Sequence, residues 1–224
     1  MKKLATLAGL SALGTFASAQ TLLLYTNFND TSSVGAFLSS SVNLLSGNYT
    51  VAGATAAPTF TSPGNGNFGS FSGTLTNAQL GDPAGGAFVV VGTASNGATL
   101  TLQMNTTGYK DLRLKDVFRR TGTGFNDIDI DISTNGGGSW SALVSNHNAS
   151  SSAFPAAPDI DTVLPVAAEN NADVRIRFTF SGATSTSGNM RMDNLTIHGN
   201  VVPEPATLAA VGLGLGALLR RKRR

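Results

Sequence analysis

Between residues 20 and 200, apolar and polar positions alternate in short runs, and no stretch sustains a helical period over three turns. The alternating runs are Leu22–Phe28, Ala87–Thr93, Thr99–Asn105, Lys110–Arg119, Phe125–Ser133, Ser139–Val144, Val174–Phe180 and Met190–His198. Clusters of Gly, Asn, Ser and Thr separate them, the punctuation of antiparallel strands joined by turns. The pattern predicts an all-β antiparallel sandwich of jelly-roll type over residues 20–200. Residues 45–86 are poor in large apolar side chains and predict long loops with short edge strands. Residues 146–158, with Ser150–Ser152 and two prolines, predict another loop.

The two ends of the chain read differently. Lys2 and Lys3, an apolar stretch from Leu4 to Phe16 and the small residues Ala17-Ser18-Ala19 form a secretory signal peptide over residues 1–19. Signal peptidase would cut between Ala19 and Gln20. At the other end, residues 201–224 hold Pro203-Glu204-Pro205, an apolar run expected to be a hydrophobic helix over 206–219, and a basic tail, Arg220–Arg224. The 14 apolar residues fall short of the roughly 20 that a stable membrane span needs. They suit transient anchoring in the inner membrane, with the body on the far side from the cationic tail.

That tail resembles the PEP-CTERM sorting signals of Gram-negative bacteria. The resemblance rests on Pro203, Glu204 and Pro205, followed in order by the apolar segment and the arginine cluster. It implies recognition by an exosortase-type membrane transpeptidase, cleavage near the Pro-Glu-Pro, and delivery to the cell surface or the exopolysaccharide matrix.

Charge sharpens the picture. Seven of the 15 cations lie in the two terminal segments, leaving residues 20–202 with eight Lys or Arg against twelve Asp or Glu, a net of −4. A body without basic excess has no footprint for nucleic acid. The absence of cysteine removes disulfides, thiolate metal sites and thiol catalysis.

Candidate chemistry is sparse. In the run from Phe125 to Ile132, isoleucines alternate with Asp127, Asp129 and Asp131, as on a half-exposed strand. The three carboxylates start like a calcium loop, but Ile132 stands where such a loop needs glycine. Ser133-Thr134-Asn135-Gly136-Gly137-Gly138-Ser139-Trp140 resembles an Asp-box turn with asparagine in place of the aspartate. That likeness implies a hairpin with Trp140 folded over it. His147 in a polar loop and His198 at a strand end have no partner signature. The body holds a single glutamate, Glu169, and the chain one Trp and three Tyr, a thin supply for a sugar-cleaving cleft. No catalytic residue is assigned.

Two binding sites are considered. If the strands at 110–119 and 174–180 adjoin, Arg113, Lys115, Arg175 and Arg177 form a basic strip suited to an acidic polysaccharide; otherwise they are solvated surface charges. The closing run Arg191–Ile197 and the opening Asn27–Asp30 resemble the paired end strands of extracellular MAM and laminin-G-like jelly rolls. That likeness would bring Asn29, Asp30 and Asp193 together around a structural calcium ion; the alternative is that Asp193-Asn194 forms a bulge or turn and binds nothing. No other cofactor is expected. The reading is an exported, non-catalytic surface or matrix protein, structural or glycan-binding; the alternative is a secreted carbohydrate-active enzyme such as a glycosidase.

Overall fold

The computed structural model describes residues 20–28, 42–43, 49–50, 59–61, 65–151 and 153–202. The expected signal peptide, the Pro203–Pro205 motif, the 206–219 segment, Asn29 and Asp30 lie outside these residues. No described helix is long and apolar enough to cross a membrane.

The described residues form two antiparallel sheets. Sheet A holds β1 (Thr21–Thr26), β3 (Tyr49–Thr50), β5 (Asn65–Ser72), β6 (Gly86–Val91), β8 (Tyr109–Arg120), β11 (Ile160–Val163) and β13 (Asn189–Val201). Sheet B holds β2 (Val42–Asn43), β4 (Thr59–Thr61), β7 (Ala98–Met104), β9 (Asp127–Ser133), β10 (Ser141–His147) and β12 (Val174–Ser181). Its order is β10-β9-β12-β7-β4-β2, and sheet A runs β11-β8-β13-β1-β3 with β6 and β5 continuing from β13. This is the β-sandwich that the alternation predicts.

Each of the eight predicted runs is a strand. β12 shows why: Val174, Ile176, Phe178 and Phe180 are fully buried, while Arg175, Arg177, Thr179 and Ser181 between them are not. Those four buried residues face Leu100, Leu102 and Met104 of β7 and Ile128, Ile130 and Ile132 of β9 across the ladders of the same sheet. Leu23, Phe88, Leu114, Phe118, Met190, Met192 and Ile197 of sheet A close the core from the other side. Each such side chain contributes about 1.5–3 kcal/mol by leaving water.

Four local features differ from the reading of the sequence. The Gly-rich segment 45–86 contains an eight-residue strand, β5, held as an edge by pairing with the apolar β6. Ile160–Val163 forms β11 against β8, although only four residues alternate there. His147 is the last residue of β10 rather than a loop residue, with its Nε2 2.9 Å from Oδ2 of Asp159. His198 sits inside β13, which runs three residues past it.

Candidate functional site

The outer face of sheet B is built by register. Gln103 of β7 stands opposite Arg175 of β12; Thr101, Arg177 and Asp131 share the next rung, and Thr99, Thr179 and Asp129 the one after. Odd-numbered positions of β7 and β12 thus turn a polar surface outward while their even-numbered neighbours fill the core.

The turn between β9 and β10 walls this surface. Ser133 Oγ accepts from the backbone N–H groups of Asn135 and Gly137, and Asn135 Oδ1 accepts from the Ser139 N–H. The turn closes through left-handed backbone at Gly136 and Gly137 (φ +68° and +91°). These glycines let the turn approach the β12 side chains: a Cβ on Gly137 would lie 3.1 Å from a guanidinium nitrogen of Arg175.

Trp140 emerges from the turn and meets Arg177, whose Cζ lies 4.2 Å from the ring centroid. The indole therefore packs against the sheet face. Together Thr99, Thr101, Gln103, Gly136, Gly137, Trp140, Arg175 and Arg177 line a groove of 370 Å³. Its charges are fixed in place. Arg175 grips Asp173 in a two-pronged pair, with both nitrogen–oxygen distances 3.1 Å. That bond holds the Asp173 carboxyl below its usual range and raises the Arg175 guanidinium. Arg177 donates to Asp131 Oδ2 at 2.8 Å, and its buried Nε has no partner among the described residues. The groove thus offers an aromatic edge, hydroxyl and amide groups, and two arginines largely neutralised by aspartates.

The single basic strip does not form. β8 lies between β11 and β13 in sheet A, and β12 lies between β9 and β7 in sheet B, so the two arginine pairs stand on different sheets. Arg113 and Lys115 instead flank Asp161 of β11. The Arg113 bond lowers the Asp161 carboxyl from its ordinary value, and Asp161 in turn raises Arg113. Only Arg175 and Arg177 enter the groove.

Asp193 is brought beside the opening strand as expected, since β1 pairs with β13. Its carboxyl is fully buried under the 73–82 segment, accepting from Thr74 N–H at 2.6 Å and Asn194 N–H at 2.9 Å. Burial pushes its pKa up to about 8. The register slips between Asp193 and Thr196, and Asn194 takes φ +55°, so this is a bulge. Asn194 Oδ1 accepts from the buried Tyr25 hydroxyl, and its amide donates to the carbonyls of Thr74 and Thr76. Among the described residues, no three His, Asp or Glu side chains gather as a metal site. Asp116, also fully buried, accepts from Val117 N–H and leaves Oδ2 without a described partner.

Thr99, Thr101, Gln103 and Trp140 escape sequence reasoning as site residues. The Thr-Leu-Thr-Leu-Gln alternation marks the first three as outward-facing, but only the β7–β12 pairing sets them beside the arginines.

Comparison with known proteins adds two findings. Residues 201–224 match the family model described as the PEP-CTERM protein-sorting motif. Among solved structures, the chain is similar to the CBM22-1 xylan-binding domain of Paenibacillus barcinonensis Xyn10C, at 9% identity over 84% of this chain and 99% of that one, with a TM-score of 0.46. It is similar to the K3 cleaved adhesin domain of Lys-gingipain from Porphyromonas gingivalis, at 10% identity over 80% and 99%, TM-score 0.45. A third is TmCBM61 in complex with β-1,4-galactotriose, at 9% identity over 66% and 90%, TM-score 0.33. Overlaps of this depth transfer no residue roles. No curated protein matches the sequence.

Proposed function

We propose that this PEP-CTERM-bearing protein is exported and sorted to the cell surface, where it binds a glycan in the sheet B groove without cleaving it. The observation that carries the binding reading is the juxtaposition of Trp140 with Thr99, Thr101, Gln103 and two orientationally locked arginines. A sugar ring presents an apolar face and a rim of hydroxyls; an indole and fixed hydrogen-bonding groups answer the two together. Arg175 and Arg177 already hold carboxylate partners, so they act as positioned donors more than as a field for anions.

On this reading, signal peptidase releases the chain at Ala19–Gln20, residues 206–219 hold it briefly at the inner membrane, and an exosortase-type transpeptidase acts near Pro203–Pro205. Intact-mass measurement of surface material tests the route: the chain should begin at Gln20 and lack Arg220–Arg224. Full-length tails on surface protein would refute it.

The binding test uses the chain's one tryptophan as its reporter. Titration of the purified protein with a panel of neutral and acidic oligosaccharides should shift Trp140 fluorescence for at least one of them. Trp140→Ala should weaken that affinity, read calorimetrically, at least about tenfold. A panel that leaves the fluorescence unchanged sinks the groove; release of reducing ends sinks the non-catalytic assignment.

A further inference from the structure

Arg191 of β13 and Arg119 of β8 stand directly opposite each other on the outer face of sheet A. Their neighbours Met190, Met192 and Phe118 point into the core, so both guanidiniums turn outward. Side chains so paired have Cβ atoms roughly 5 Å apart, and like charges there repel. The chain's other described arginines relieve their charge or fill their donors. Arg113, Arg175 and Arg177 pair with Asp161, Asp173 and Asp131, and Arg120 donates to Asn148 Oδ1 and three backbone carbonyls. Neither Arg119 nor Arg191 has an acidic partner among the described residues.

Arg191 is also held in place. Its Cζ lies 4.6 Å from the Phe71 ring centroid, and Nη1 reaches the Ser72 carbonyl only at 3.5 Å. Its Nε is buried and has no described partner. Desolvation, then the Arg119 charge, lowers its pKa, as expected of a cation lacking a counter-charge. Arg119 is half-buried and bridged through the backbone to the exposed Ser150.

We propose that Arg119 and Arg191 form an anion site on sheet A, separate from the sheet B groove, that takes the carboxylate or sulfate group of an acidic polysaccharide. Two guanidiniums on neighbouring strands present parallel N–H groups to a planar or tetrahedral oxyanion, which removes the repulsion between them. The Phe71 ring beside Arg191 offers an apolar face to the sugar that carries the anion. With a groove on the opposite sheet, the sandwich would engage polysaccharide on two faces.

Calorimetry of the full chain at low salt tests this, with trigalacturonate, a sulfated trisaccharide, neutral galactotriose and inorganic sulfate as probes. Binding of trigalacturonate or the sulfated trisaccharide is expected, weakening with added salt and absent for galactotriose once Trp140→Ala with Arg177→Ala disables the groove; which of the two binds identifies the oxyanion. Arg119→Gln should cost at least about tenfold in affinity, and Arg191→Gln at least as much, with the circular dichroism unaltered. Trp140→Ala with Arg177→Ala should leave this affinity unchanged, which separates the site from the groove. Galactotriose binding that survives Trp140→Ala with Arg177→Ala and equals that of the acidic oligomers, inorganic sulfate as tight as either acidic oligomer, or full affinity in Arg119→Gln would overturn the proposal. So would an Asp30→Asn variant that loses the same stability as Arg119→Gln with no further loss in the double variant, since Asp30 would then be the internal counter-charge.

Discussion

Asp193→Asn should change how stability depends on pH more than it changes stability at any single pH. The Asp193 carboxyl ionises near 3.8 in the unfolded chain and near 8 when buried in the fold. Between those values the native state holds a proton that the unfolded state has released, so stability falls as pH rises and levels off above about 8. The gap between the two values corresponds to an upper bound of about 6 kcal/mol across that window. Asparagine cannot ionise, so the pH-dependent part disappears. Its amide turns a donor toward either the Thr74 or the Asn194 N–H, both of which now donate to the carboxyl. Losing one such bond costs about 1–3 kcal/mol at every pH.

The variant should therefore be the less stable protein at pH 5 and approach or exceed wild type by pH 8. Urea unfolding at half-unit steps, in chelator so that only the proton competes for the carboxylate, gives the wild-type-minus-variant difference directly. Asp116, whose carboxyl burial also raises, contributes a slope of the same sign to both proteins, and only the smaller part that the Asp193 charge adds to it survives in that difference. A difference that is flat with pH, or that grows in favour of wild type as pH rises, would refute the reasoning.

Other outcomes follow from packing and charge. Phe178→Ala, emptying a fully buried position between β7 and β9, should destabilise by about 3–5 kcal/mol in denaturant titration. Gly137→Ala adds a Cβ at φ +91° and 3.1 Å from Arg175. It should cost about 1–2 kcal/mol of stability and weaken glycan binding, since the turn and Arg175 must part. Asp161→Ala removes the partner of Arg113 and Lys115 at a partly exposed site, and thermal melts should move by less than about 1 kcal/mol equivalent.

The two-sheet fold was legible because β7, β9 and β12 alternate over at least six residues each, and the Val174–Ser181 run states its buried face unambiguously. Short strands were not. Ile160–Val163 offers too few residues for a period, and β5 reads as a glycine-rich loop because β6, not its own side chains, makes it a strand. The groove was half legible: Arg175 and Arg177 announce an outward face, and the Ser133–Trp140 octet announces a turn. Pairing Arg175 with Arg113 failed because strand order depends on which runs meet in space, and alternation carries no such label. Asp193 shows the reverse case: a likeness between the end strands located the pairing of β1 with β13, while the bulge at Asp193-Asn194 lies in the β13–β8 ladder.

β13 pairs with β1, β6 and β8, so the middle of sheet A is supplied by the last strand of the body. Until residues 189–201 are available, β1, β6 and β8 have open edges and no common partner. Most of the energy of this sheet therefore arrives in one late step, after loops of up to about 175 residues have closed, as the Thr21–Gly199 pairing requires. A truncated chain ending before Asn189 cannot be a smaller version of this domain; it is a set of unpaired strand edges, prone to associate with one another. Folding of the body is thereby made to wait for the same stretch of chain that leads directly into Pro203-Glu204-Pro205.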